Sequence, residues 1–296
     1  LHSTTNVEDS MSINAPILHE NWTDSSGENL TNIGEHQQFQ LGDIENGFKE
    51  SYEIFEKQYK TKTVHQGYIE LQNATAWWTN DQRVTIWCST QGHFGVRDNT
   101  SRILGIPVSN IKVVPMEIGG GFGGKIAVYL EPIAAILSKK SGHPVKLTMT
   151  RSEVMEATGP TSGSIVNIKI GYTNQGLITA AKADVYFEAG AFPGGPIGGA
   201  CAAIFAPYDI KNVLINAYDV VTNKPRTTAY RAPGAPIVCF AVESALDEIS
   251  KKLNIDPIDI RLFNVAEEGS RRADGVVNLK IGAKEVMEAL KQHPHY

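Results

Sequence analysis

The chain lacks a long hydrophobic run. No stretch approaches the roughly 18 apolar residues that span a bilayer, so no segment reads as a transmembrane helix. It lacks a basic excess as well: 27 Lys and Arg stand against 32 Asp and Glu, a formal net charge of -5. That balance argues against nucleic acid or an anionic membrane surface as partner. Cysteine is scarce. Cys88, Cys201 and Cys239 lie far apart and form no Cys-x-x-Cys pair, which excludes a zinc ribbon or an iron–sulfur cluster encoded here. Three is odd and sparse for a disulfide scaffold. The expectation is small buried thiols in a reducing, cytoplasmic compartment. The opening LHSTTNVEDSMSINAP has no basic n-region, no apolar h-region and no initiator Met. It is not expected to be a signal peptide, and a fragment or processed chain is expected. The N-x-S/T triplets at Asn21, Asn29, Asn73 and Asn99 are read as chance occurrences rather than glycosylation sites.

What is present is 296 residues of 42% hydrophobic content, enough for one large domain or two smaller ones. Residues 1–42 are polar and show no sustained period, and are expected to be a linker or connecting arm. From Asp43 the pattern changes, and residues 43–296 are expected to form the domain proper. Asp43 caps a short helix through about Ser51, and YEIFEKQYK alternates like a strand. ATAWWT and RVTIWCST form a hairpin around Asn80-Asp81. FGVRDNTSRILG has helical spacing and ends on Gly105, and IKVVPMEI is a strand. PIAAILSKKSG is a helix with Pro132 in its first turn and Gly142 past its end. VKLTMT is a strand, VNIKIGY and LITAAKADVYF a hairpin, GAFPGGPIGGA (190–200) a glycine-rich loop, and KNVLINAYDVVTN a strand. The longest helix opens at Pro236, with Val238, Ala241, Val242, Ala245, Leu246, Ile249 and Leu253 on one face. Asp256-Pro257 starts another helix, and AKEVMEALKQ is the last. Without a strict βαβ rhythm, the fold class is α+β, mixed sheets with packed helices.

Five glycines in MEIGGGFGGK (116–125) cost backbone entropy and persist only where something must approach the backbone or φ must be positive. Gly119–Lys125 fits the frame of a phosphate-cradling loop, but Ile126 stands where a magnesium-binding Ser or Thr belongs, and Pro132 puts the helix start too late. A nucleotide-binding module is therefore the weaker alternative. The stronger reading is a ribbon of exposed N–H groups over a large polar ligand, with Phe122 held against its face. Gln91 follows a strand and precedes a helix, the place where α/β sites collect; its amide both donates and accepts. His93 beside it reads as an ordinary loop histidine. In TNKPRTTAYRAPGAP (222–236), Arg231 is the central donor, ahead of the long helix. His65 and Glu70 could be an acid–base pair, although a strand with a buried Glu–backbone bond is the plainer reading.

HQGYIE, STQ, IGGGFGGK, TNxPxxxAYR and FAVESALDEIxxxLxIDPIDIRxxN, in this order over residues 45–270, resemble the molybdopterin-binding large subunit of the xanthine dehydrogenase / aldehyde oxidase family. The resemblance implies molybdopterin with molybdenum, the cytosine dinucleotide form among the candidates, with the metal carried by the cofactor rather than by side chains. It implies that Gln91 bonds an oxo ligand of molybdenum, that the backbone at Gly120, Gly121, Phe122 and Gly123 faces the pterin or the metal's ligands, and that Arg231 lies at the molybdenum end. At the substrate positions, Ile126 replaces the Glu of purine-oxidising members. Gly199 falls near their Arg, Pro233 replaces their Phe, and Ala232 stands where carbon monoxide oxidisers hold copper with Cys. Neither purine nor carbon monoxide oxidation is expected; an aldehyde, aryl or N-heterocyclic substrate is. The implied partners are the remaining part of the large subunit and Fe-S and FAD subunits. The family's base glutamate lies in a G-x-G-E context, which these residues do not contain, and AEEG (266–269) does not supply it. The catalytic base is therefore expected on a segment other than these 296 residues, and a catalytically incomplete assembly fragment is the remaining alternative.

Overall fold

The structure, a computed structural model, describes residues 3–23, 27 and 30–296. Its strands are β1 (Ile33–Leu41), β2 (Glu53–Thr61), β3 (Asn73–Trp78), β4 (Val84–Cys88), β5 (Ile111–Pro115), β6 (Val145–Thr148), β7 (Ser164–Tyr172), β8 (Ile178–Gly190) and β9 (Val213–Val221). Its helices are α1 (Val7–Ser10), α2 (Ile44–Lys49), α3 (His93–Leu104), α4 (Glu131–Ser141), α5 (Arg151–Ala157), α6 (Ile197–Ala203), α7 (Ala235–Leu253), α8 (Pro257–Asn264) and α9 (Ala283–Lys291). They divide into two compact units: Leu1–Lys62, Ser162–Lys224 and Ala232–Tyr296 in the first, Thr63–Thr161 and Pro225–Arg231 in the second. The composition of α+β, mixed sheets and packed helices, is as the sequence pattern implies.

The first unit is built on a five-stranded sheet of order β1-β9-β8-β7-β2. β7 and β8 form an antiparallel hairpin, and β8 pairs with β9 in parallel. Ile168, Ile170, Ala181, Ala183 and Ile215 alternate onto one face and are buried. α7 lays Val238, Ala241, Val242, Ala245, Leu246 and Ile249 into the same core. Their i, i+3, i+4 spacing is the stripe that a helix needs to bury one side. Asp256 caps α8, accepting from the N–H groups of Ile258 and Asp259.

The second unit has a four-stranded sheet of order β5-β4-β3-β6, with β4 and β5 parallel and joined through α3. Val84, Ile86 and Cys88 face the core with Val96 of α3 and Ala134 and Ala135 of α4. The parallel pairing positions the site. Cys88 stands opposite Pro115, so the segments after β4 and β5 leave the sheet at the same edge. Those segments carry Gln91 and the glycine loop.

Several elements differ from the sequence expectation. Residues 33–41 belong to an ordered edge strand, not a structureless arm; β1 pairs along its length with β9. Its mixed polar sequence, IGEHQQFQL, hides the alternation because an edge strand buries little. α1 and α5 have no counterpart in the sequence expectation. Thr150 and Glu153 form a capping box for α5, and T-R-S-E is its readable signal. Residues 197–203 of the second glycine-rich segment are helical, not loop.

Candidate cofactor site

The glycine loop is tied at both ends to one carboxylate. The Gly119 N–H donates to Glu70 Oε2 at 2.8 Å, and Lys125 Nζ donates to the same oxygen at 2.5 Å. The Glu70 N–H in turn donates to the Gly119 carbonyl at 3.1 Å. The Lys125 side chain is fully buried, near Ser89 Oγ and 5.1 Å from the Tyr68 ring centroid. Burial works to raise the Glu70 pKa, but the Lys125 hydrogen bond and the Gly119 N–H outweigh it, so the carboxyl sits below its ordinary value.

This arrangement contradicts the nucleotide-loop alternative. A phosphate-binding lysine must reach out of the loop, whereas Lys125 points beneath it into an ion pair. It also contradicts an acid–base pair of His65 and Glu70, since Glu70 is engaged with Lys125. His65 Nδ1 accepts from the Gly67 N–H at 3.0 Å, and Nε2 lies 2.8 Å from Thr158 Oγ1. That fixes a neutral tautomer with the proton on Nε2. Burial, then the Arg151 charge, lowers the His65 pKa.

Gln91 straps the middle of the loop. Its Oε1 accepts from the Gly123 N–H at 2.8 Å and from the Lys125 N–H at 3.3 Å. Its own backbone N–H donates to the Lys125 carbonyl at 3.0 Å. Two backbone donors on Oε1 fix the amide's orientation. Nε2 therefore turns outward, and it makes no hydrogen bond among the described residues. Arg231 reaches the loop through its main chain, its N–H donating to the Phe122 carbonyl at 2.9 Å. Its guanidinium is exposed and has no ion pair among the described residues. Gln91, the loop and Arg231, three segments distant in sequence, thus meet in the second unit.

The loop's glycines are small chiefly for the protein's own sake, which corrects the expectation that a ligand alone keeps them bare. A Cβ on Gly121 would lie 2.5 Å from Gln91 Oε1, and one on Gly123 2.3 Å from the Ala229 carbonyl oxygen. Gly119 and Gly124 press in the same way on Glu70 and Tyr68. The main-chain donors are a different matter. Gly120 and Phe122 have φ of 94° and 50°, and the N–H groups of Gly120, Gly121 and Phe122 make no hydrogen bond among the described residues. Successive free N–H groups around positive-φ residues form a concavity suited to anionic or carbonyl oxygens. The Phe122 side chain is 46% exposed, and Ile126 is exposed beside the Gln91 turn.

Gln66 lies within the HQGYIE motif, but nothing in the sequence announces its role. It is buried, and its Nε2 lies 3.0–3.1 Å from the Gly159 carbonyl, Thr228 Oγ1 and the Ala229 carbonyl. It holds the Arg231 segment against the rest of this unit. No periodicity announces such a residue, because its partners are atoms brought in from 93 to 163 positions away.

Gly199, Ala232 and Pro233, the other positions expected to meet substrate, belong to the first unit. There a Cβ on Gly199 would meet the Pro233 carbonyl at 2.7 Å, so its own neighbour already demands the small residue. Ala232 has a φ of 58°, a conformation that strains a residue with a side chain.

An open sheet edge where two parallel strands end, backed by a strapped glycine loop with free donors, is the makeup of a cofactor-binding domain. The comparisons agree. The chain belongs to the family of molybdopterin cofactor-binding domains, which matches residues 25–265, and the family is one of molybdenum-dependent oxidoreductases. It is 29% identical over 266 residues to the nicotinate dehydrogenase large molybdopterin subunit of Eubacterium barkeri, covering 88% of this chain and 63% of that one. It is 36% identical over 217 residues to the xanthine dehydrogenase molybdenum-binding subunit of Escherichia coli O157:H7, covering 71% and 29%. The aldehyde oxidoreductase of Desulfovibrio gigas has the same fold, with a TM-score of 0.88 at 21% identity over 98% of this chain and 32% of that one. The chain thus spans less than two thirds of the length of each of these proteins.

Among the described residues, no group of three His, Cys, Asp or Glu side chains is placed to hold a metal ion. No helix among them is long and apolar enough to cross a membrane.

Proposed function

We propose that this chain is the cofactor-holding portion of a molybdenum hydroxylase that oxidises an aldehyde, aryl or N-heterocyclic substrate with oxygen from water. The observation that carries this reading is the set of donors in the second unit that make no hydrogen bond among the described residues. They are the free N–H groups of Gly120, Gly121 and Phe122, the Gln91 amide and the Arg231 guanidinium. They fit a cofactor rich in carbonyl, phosphate and oxo oxygens. When bound, molybdopterin supplies the two-electron redox chemistry. The chain's residues do the rest. The backbone N–H groups would orient the bound group, and Gln91 Nε2 would donate to one of its oxygens. Arg231 supplies a positive charge beside it. The net reaction inserts oxygen from water into a C–H bond and releases two protons and two electrons. Fe-S and FAD subunits are the proposed acceptors, the cytosine dinucleotide form is the proposed variant of the cofactor, and the cytoplasm is the proposed compartment.

Arg231→Ala should leave the melting temperature within about 2 °C, as for a surface change of roughly 0.5 kcal/mol. Turnover should fall about 10- to 100-fold, the worth of one charge-assisted hydrogen bond. A melting point lowered by many degrees would instead make Arg231 a structural residue.

Ile126 supports a substrate without purine's hydrogen-bonding needs. A site lacking such partners rejects that substrate class strongly. One curated relative is named a nicotinate dehydrogenase, which favours an N-heterocycle; another is named a xanthine dehydrogenase. The test is a panel of N-heterocycles, aldehydes and hypoxanthine in ¹⁸O-labelled water, with the chain purified alongside its accompanying subunits. Labelled product from the first two classes and at least 100-fold weaker turnover of hypoxanthine are expected. Ile126→Glu should narrow that gap. Hypoxanthine as the best substrate would overturn the substrate class.

A further inference from the structure

We infer that Glu70 is a positioning residue that sets the shape of the open N–H concavity without touching what binds there. The inference rests on the molybdopterin reading for the identity of the ligand, but not for the clamp itself. One oxygen, Oε2, receives both the first residue of the loop, through the Gly119 N–H, and the last, through Lys125 Nζ. The three free donors lie between those anchors. The glutamate's stem is also pressed on the loop: a Cβ on Gly119 would stand 2.6 Å from Glu70 Cβ. Lys125 has no route to solvent, with its side chain fully buried. Its remaining contacts, Ser89 Oγ at 3.3 Å and the Tyr68 ring, hold it beneath the loop. A carboxylate is required because two donors, one of them cationic, converge on one acceptor. An amide at position 70 can accept from Gly119 but gives the ammonium no countercharge. An aspartate is one methylene short of spanning both anchors.

The backbone between the anchors shows the consequence. Between Gly119 and Lys125, the residues Gly120, Phe122 and Gly123 take positive φ values of 94°, 50° and 105°. Glycine takes such values freely, but at Phe122 the conformation persists only when its surroundings over-determine it. The Gln91 strap holds the middle of the loop and the Glu70 clamp holds its ends. Releasing the ends lets the backbone that carries the free N–H groups shift, while the sheet and α4 keep their own core.

The experiment compares wild type with Glu70→Gln, Glu70→Asp and the double variant Glu70→Gln with Lys125→Met, each purified with its accompanying subunits. The double variant removes both charges, so it leaves no buried ammonium unpaired and keeps the test open where a single variant fails to fold. Hydrogen exchange of the 119–125 peptide, pterin content, turnover per bound molybdenum and the molybdenum EPR signal are read in each. Exchange at least tenfold faster in the loop is expected in all three, with exchange in β3 and β4 unchanged. Pterin content should fall at least tenfold, and whatever cofactor remains should show altered EPR and lower turnover per metal. A folded variant with wild-type loop exchange overturns the clamp. A lower melting temperature with unchanged EPR and turnover per metal reduces Glu70 to a stability role and also overturns the inference. If wild type itself contains no pterin, the molybdopterin reading fails, and the exchange measurement still decides whether the clamp exists.

Discussion

Gly123→Val is expected to leave the purified protein with at least 100-fold less pterin than wild type and a clearly lowered melting temperature. Two effects add. The φ of 105° is open to glycine but strains a β-branched residue by about 1–3 kcal/mol. The new Cβ would also stand 2.3 Å from the Ala229 carbonyl oxygen and 2.7 Å from its carbon. Backbone cannot swing aside as the end of a long side chain can, and such overpacking costs about 1–3 kcal/mol more. The segment that must yield, 228–231, carries the N–H that bonds Phe122, so loop and Arg231 separate together. Gly142→Val is the control for strain alone: its φ is 65°, yet a Cβ added there would meet nothing within 4 Å. That variant should lose stability without losing pterin. Normal pterin in Gly123→Val would show that the loop can be displaced without consequence for binding.

Gln91 should separate into two roles when replaced in two ways. Gln91→Leu removes the acceptor for the Gly123 and Lys125 N–H groups. Both residues are buried, and each stranded donor costs about 1–3 kcal/mol. The melting temperature should fall by several degrees and pterin should be lost with it. Gln91→Glu keeps the acceptor and nearly the same shape. Its melting temperature should stay within about 2 °C of wild type. The outward donor is gone, however, and a negative charge faces the oxygens it once addressed. A lost hydrogen bond of this kind is worth about 1.5–3 kcal/mol, so turnover should drop at least about tenfold. Equal melting temperatures for both variants would remove the strap; full activity of Gln91→Glu would remove the donor.

How much of the fold is legible in the sequence depends on the kind of contact involved. α7 is readable because Val238, Ala241, Val242, Ala245, Leu246 and Ile249 repeat at the helical period, and all of them are buried. The hairpins and the caps at Asp43, Gly105, Gly142 and Asp256 are readable because each is a local rule. β1 is not, since its identity depends on a partner strand about 180 residues away. At the site, the bareness of Gly119–Gly124 is visible, but not its cause. Nothing local in IGGGFGGK says that Lys125 turns under the loop, because Glu70 lies 55 residues away. The division into two units is also hidden, since both return segments, 162–224 and 232–296, read as continuations of the same pattern.

Under the proposed function, the edge carrying Gln91, the 119–125 loop and Arg231 holds molybdopterin. The most direct measurement is the molybdenum and pterin content of the chain isolated with its accompanying subunits, wild type beside Gly123→Val. About one molybdenum and one pterin per chain in wild type, both nearly absent from the variant, is the predicted result. Neither molybdenum nor pterin in the wild-type protein, or equal amounts in the two, would contradict it.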